Sequence, residues 1–148
     1  MRLWHYKLLG YLPKSQLIAQ WRELNSIYKK QDNHILINYV YEYDKERLML
    51  YSDMVIRELS FRGARVKSLD NYNEYFKDTF YSFKTKSRFE NPFINHHNDR
   101  YLLQCFMNLQ EKYDRGQADF DELTYTKLYN QTNNLLGGKL DELFIQRC

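Results

Sequence analysis

LPKSQLIAQWRELNSIYKK, residues 12–30, decides the fold. Leu17, Trp21, Leu24 and Tyr28 recur there at the spacing of a single helical face. Leu12-Pro13-Lys14-Ser15 reads as the entry to that helix, with Ser15 as its cap. Arg22 and Glu23 fall off the apolar stripe, on flanks that meet solvent or a ligand. The same period returns downstream. Leu48, Tyr51, Val55 and Leu59 predict a helix from about Lys45 to Phe61, stopped by Gly63. Leu102, Cys105, Phe106 and Leu109 predict another, from about Asn98 to near Gly116. A last helical section starts near Asp119, breaks at Gly137-Gly138 and ends in a short turn through Leu140, Leu143 and Phe144.

Between the helices the reading is less regular. Residues 31–34 form a polar break, and Ile35 to Tyr43 fits a short strand or a buried extended loop equally well. Residues 70–95 have no period. They carry Tyr72, Tyr75, Phe76, Phe80, Tyr81, Phe83, Phe89 and Phe93, interleaved with Lys77, Lys84, Lys86 and Arg88. With only five Gly and two Pro in 148 residues, long helices are favoured over a sandwich, and the expected class is a compact all-α fold. An apolar share of 43% supports one sizeable core.

No run of eighteen apolar residues is present, so no membrane span is expected. The opening MRLWHYKLLGYLP lacks the small-residue cleavage site of a signal peptide. Cys105 and Cys148 have no metal-ligand spacing, and a reduced, cytoplasmic protein is the simplest expectation. Charge is unevenly spread. The first thirty residues hold Arg2, Lys7, Lys14, Arg22, Lys29 and Lys30 against the lone acid Glu23. From Asp114 onward, six acids outnumber four bases. A basic start of this kind suits a polyanion.

Three features have chemical potential. Glu23 fits a solvated helix-surface glutamate held between cations such as Arg22 and Lys30, and also a carboxylate that steers protons and stabilises a cationic transition state, its positive surroundings lowering its pKa and keeping it ionised. An α-amine titrates at about 8, far below lysine, and attacks carbon at the aldehyde oxidation level to form a Schiff base. The ring-and-cation mixture from Tyr75 to Phe93 fits both a nucleic-acid surface and an ordinary core. His5 and His34 are isolated in sequence, and His96 and His97 are too close together to share a metal on one helix. Neither a zinc pattern, a phosphate loop nor a Ser-His-Asp signal is found.

Gln16-Leu17, Ala19 and above all Trp21-Arg22-Glu23-Leu24 resemble the start of the pyrimidine-dimer DNA glycosylases, the phage endonuclease V type. The likeness continues through His34 and the apolar run after it, Tyr43-Asp44-Lys45, Glu58 and Arg62-Gly63, and then His96 or His97 ahead of a Tyr-Leu helix. Met-Arg-Leu-Trp-His at the start and Asn38-Tyr39-Val40 are similar to a bacterial branch of short relatives. The likeness spans roughly residues 1 to 110. It does not place residues 117–148; the expected division is a glycosylase-like helical domain over 1–116 and a C-terminal helical extension over 117–148 packed on the same domain, where it covers the DNA face, extends the core or makes a dimer contact.

The resemblance implies DNA repair: an N-glycosylase with abasic-lyase activity on cyclobutane dimers in double-stranded DNA, with no metal or cofactor. An N-terminal amine attacks C1′ and forms the Schiff base, assisted by the residue matching Glu23. A large second residue retains the initiator Met, so Met1 would carry the amine, followed by Arg2; in the phage-type enzymes an arginine likewise follows the amine-bearing residue. The expected catalytic pair is therefore Met1 and Glu23. The expected DNA-binding set is Arg2, Arg22, Lys29, Lys30, His34, Arg62, Lys84, Lys86, Arg88 and His96. The alternatives are a non-catalytic nucleic-acid-binding helical domain and a protein-interaction module.

Overall fold

The computed structural model describes residues 1–145, and its fold is all-α. Arg147, counted among the bases of the C-terminal part, and Cys148 lie outside the described residues. Helix α1 (Lys14–Lys29) follows a 3₁₀ helix at Tyr6–Tyr11, and α2 (Lys45–Phe61) follows a second at Asn38–Glu42. Then come α3 (Asp70–Tyr75), α4 (Asp99–Asp114), α5 (Glu122–Leu135) and α6 (Lys139–Ile145). No strand occurs among the described residues, and no helix there is long and apolar enough to cross a membrane.

Helix α1 buries Leu17, Leu24, Ile27 and Tyr28, while Trp21 is half-buried with its ring edge-on to Tyr28. Its start differs from the expected Ser15 cap. Pro13 is the N-cap residue, and Ser15 sits inside the first turn. There, the Ser15 N–H and Oγ both donate to the Asp119 carboxylate, at 2.7 and 2.8 Å. The free N–H groups of a first turn attract an anion, and here that anion comes from the C-terminal part of the chain. Burial alone would raise the Asp119 pKa, but the bonds from Ser15 and Gln117 outweigh it and hold the group below its usual range.

Helix α2 has two working faces. Leu48, Tyr51, Val55 and Leu59 are buried in the core. Glu46, Leu50, Asp53 and Arg57, at the same spacing half a turn round, lie under the segment that follows α3. Gly63 ends the helix at φ +74°, a backbone region costly for any residue with a Cβ.

Ile35 to Tyr43 is neither a strand nor wholly buried. His34 Nδ1 accepts the Leu36 N–H, and the His34 carbonyl accepts those of Ile37 and Asn38. These local bonds close a turn and leave nothing for a sheet ladder. Ile37, Tyr39 and Val40 anchor the turn inside, while Ile35, at 82% exposure, and Leu36 face out.

Asn98 and Asp121 cap α4 and α5, accepting from the N–H groups of Tyr101 and Thr124. Helix α5 packs on α4 and on the first 3₁₀ helix, and Leu128, Leu136 and Leu140 join the same core as Leu3, Leu17 and Tyr51. Of the rings between 70 and 95, Phe76 and Phe93 are buried, whereas Phe80, Phe83 and Phe89 stand in solvent.

Candidate functional site

Residues 1–5 run without helix over α1, and Gln20 holds them there. Its side chain is fully buried. Its Nε2 donates to the Arg2 carbonyl at 3.0 Å and to Glu23 Oε2 at 3.2 Å. Its Oε1 accepts the Trp4 N–H at 2.8 Å. The Tyr51 hydroxyl shares its proton between that same Oε1, at 2.9 Å, and the Trp4 carbonyl, at 2.7 Å. Tyr101 donates to the Leu3 carbonyl at 2.6 Å. Three side chains from α1, α2 and α4 thus fix the backbone of residues 2–4, and with it the place of Met1.

The result is a cleft of about 220 Å³ in which Met1, Arg2 and Glu23 meet Trp4, Leu36, Asn108 and Lys112. Glu23 is half-buried, and its pKa is raised, not lowered. Withdrawal from water is the largest effect; the Met1 amine, the Arg2 backbone, Arg22 and Lys112 pull the other way without cancelling it. The expectation of a carboxylate held down by its positive surroundings is therefore corrected: burial outweighs the cations. A carboxylate poised upward beside an amine is suited to taking and returning a proton.

Arg2 turns inward. Its guanidinium lies 5.9 Å over the Trp4 ring and 5.7 Å over that of Tyr101. It also reaches Cys105, whose thiol is pushed up by burial against the pull of the His5 backbone and Arg2. Arg22, Lys29 and Lys30 are exposed along α1. His34 is exposed beside the cleft residue Leu36, but its Nδ1 is committed to the turn.

The other expected DNA-binding residues do not line this cleft. Arg62 pairs with Glu58 at 2.8 Å and donates to the carbonyls of Leu12 and Leu9, tying α2 to the first 3₁₀ helix. His96 stacks on Tyr39 at 4.5 Å, meets the Tyr43 hydroxyl at 2.6 Å and lies 3.3 Å from Glu42. Lys84, Lys86 and Arg88 lie on the segment that covers the outer face of α2.

His5 is not isolated: it stacks on His97 at 5.3 Å between their ring centres. Burial, then Lys7, pushes His5 down to about 4. His97 Nδ1 accepts the Tyr6 N–H, so its proton sits on Nε2, facing the Tyr39 hydroxyl at 2.8 Å. Trp4 lines the cleft, whereas Tyr6 faces elsewhere and Tyr11 packs against the core.

Gln20 and Lys112 were missed by the sequence reading. Gln20 had a signal, since it falls between Leu17 and Leu24 on the buried face, where a polar residue demands partners. Lys112 had none, because only the packing of α4 brings it to α1.

Residues 1–72 match the family model described as pyrimidine dimer DNA glycosylase, which bears out the resemblance over that stretch. The match takes in the extended start, α1, α2 and the beginning of α3, and ends before most of the ring-rich segment and before Asn108 and Lys112. No curated protein and no solved structure matches the chain.

Proposed function

We propose that this chain, similar to the pyrimidine dimer DNA glycosylases over its first 72 residues, is a DNA glycosylase and abasic lyase acting on cyclobutane pyrimidine dimers. The observation that carries this reading is the meeting of Met1 and Glu23 in one cleft whose backbone is clamped by Gln20. The Met1 α-amine attacks C1′ of the damaged nucleotide. The bond from C1′ to the base breaks; the base takes the electron pair and a proton and stays joined to its neighbour through the cyclobutane ring. The opened sugar remains on the amine as a Schiff base. Loss of a proton from C2′ then expels the 3′ phosphate and nicks the strand.

Glu23 takes the proton that the attacking amine gives up and offsets the positive charge that develops at C1′ and on the iminium nitrogen. Its raised pKa supports the first role, and its ionised form serves the second. Lys112 and Arg22 supply the positive field at the cleft that phosphates require. Leu36, which lines the cleft, and its neighbour Ile35, both apolar and exposed on a hydrogen-bonded turn, prop apart an unstacked base step. Extrusion is cheapest where stacking is already damaged.

The test is excision from a duplex carrying one cyclobutane dimer. Scission of one glycosidic bond, read as free pyrimidine released only after the cyclobutane ring is photoreversed, and a nick at the lesion are expected, both absent with Glu23→Gln. Tight binding to that duplex with neither a nick nor photoreversal-dependent release would leave a non-catalytic nucleic-acid-binding domain as the reading.

A further inference from the structure

Two clefts adjoin on the outer side of α2, away from Glu23. One, of about 390 Å³, is lined by Leu50, Ile56, Arg57, Tyr81, Lys86 and Arg88, among others. The second, of about 540 Å³, includes Arg57, Phe61 and Phe89. Arg57 joins them, donating to the Arg88 carbonyl at 2.9 Å with its guanidinium 5.1 Å over the Phe89 ring. Phe61 and Phe89 are 87% and 78% exposed. Large rings left in water beside a groove mark a surface awaiting a partner.

The charges there select the partner. Each nearby carboxylate is already engaged by donors of the protein. Glu46 accepts from Ser82 and Thr85, and Asp53 from Tyr72 and Tyr81. Glu90 accepts the N–H groups of Lys86 and Ser87, and Glu58 pairs with Arg62. The side chains of Lys84, Lys86 and Arg88 have no ion pair among the described residues. The clefts thus present rings and the unpaired cations Lys86 and Arg88, alongside two carboxylates already bonded, Asp53 to Tyr72 and Tyr81 and Glu58 to Arg62. A duplex hides the faces of its bases, so rings of this kind meet bases only in an unpaired strand.

We propose that this groove is a second nucleic-acid site, for single-stranded DNA, separated by α2 from the Glu23 cleft. Bases stack on Phe61 and Phe89, and Arg57, Lys86 and Arg88 hold the phosphates. The site is independent of the glycosylase reading, since it shares no residue with that cleft.

Fluorescence anisotropy with a labelled twelve-residue oligothymidylate, titrated with the full chain at low and moderate salt, tests it. Phe61→Ala combined with Phe89→Ala should weaken binding about tenfold or more, from the usual worth of base–ring stacking. Lys86→Ala combined with Arg88→Ala should lower the slope of log affinity against log salt by about 1.4. Glu23→Gln should leave oligothymidylate binding within about twofold of wild type, as a separate site requires. All four substituted groove side chains are solvent-exposed or rim residues, and thermal melts check that the fold is kept. The proposal is overturned if the wild-type protein does not bind the strand, if the ring pair binds as well as wild type, or if a saturating abasic duplex displaces the strand completely.

Discussion

Glu23 and Glu46 are the same residue type on opposite sides of one helix layer, and their surroundings drive them in opposite directions. Glu46 receives the Ser82 N–H and the hydroxyls of Ser82 and Thr85, and this set, led by the backbone bond, holds its pKa down. Glu23 receives one amide N–H from Gln20 and loses water, and its pKa rises. Glu46 is satisfied and fastens a loop. Glu23 is under-solvated and faces a cleft. A carboxylate that folding makes less stable as an anion has capacity left for chemistry, whereas one saturated by donors does not.

The largest effect should separate the two directly. Glu23→Gln is expected to lower Schiff-base trapping roughly 10²–10⁴-fold, the span of a lost proton-transfer group. Glu46→Gln should leave trapping within about twofold while costing about 1–2 kcal/mol of stability in urea unfolding, as loss of charge-assisted hydrogen bonds does.

Gln20→Ala comes next. It unpairs the Trp4 N–H, frees the Arg2 carbonyl and leaves the Tyr51 hydroxyl with the Trp4 carbonyl alone, so about 2–4 kcal/mol of stability should be lost, together with most trapping activity. If Gln20→Ala kept full activity, the clamp on residues 2–4 would not be what places Met1.

The pH dependence of stability follows from the two signs. Glu46 titrates lower folded than unfolded, so its contribution is present above the unfolded carboxylate range, near 4.3, and is lost as pH falls through its folded value. Glu23 titrates higher folded than unfolded, so its contribution is full below the unfolded value and lost as pH rises through the folded one. Glu23→Gln should therefore raise Tm at pH 7, an effect that should vanish at pH 3. A Tm lowered at pH 7 would contradict the assignment of a strained carboxylate.

The smallest effect concerns the rim. Ile35→Ser should slow dimer excision about five- to tenfold, while trapping on a single-stranded abasic site stays unchanged, since that sugar needs no unstacking. Equal losses on both substrates would make Ile35 a structural residue instead of a wedge.

Much of the fold was legible in the sequence because helices announce themselves locally. The apolar periods placed α1, α2 and α4, and Gly63 marked the end of α2. The segment from Ile35 to Tyr43 was not legible. Its β-branched and aromatic content suits a strand, and only the His34 bonds turn it back on itself. The cap of α1 was also hidden, since Asp119 lies 104 residues from Ser15 and nothing local links them. Met1, Arg2 and Glu23, singled out by their pattern, do share one cleft, but the direction of the Glu23 shift was not legible. Charge is visible in a sequence, whereas loss of water at one carboxylate depends on packing. The cations of the ring-rich segment were grouped with those of α1 by composition alone. Only the two faces of α2 show that they belong to different surfaces.

The most direct measurement is borohydride trapping of the protein, bearing its native terminus, on an abasic duplex, followed by peptide mapping of the adduct. Amine chemistry at this cleft predicts a single adduct on the α-nitrogen of Met1, lost in Glu23→Gln with duplex binding retained. An adduct on a lysine such as Lys112, or none from a folded wild-type protein, would contradict it.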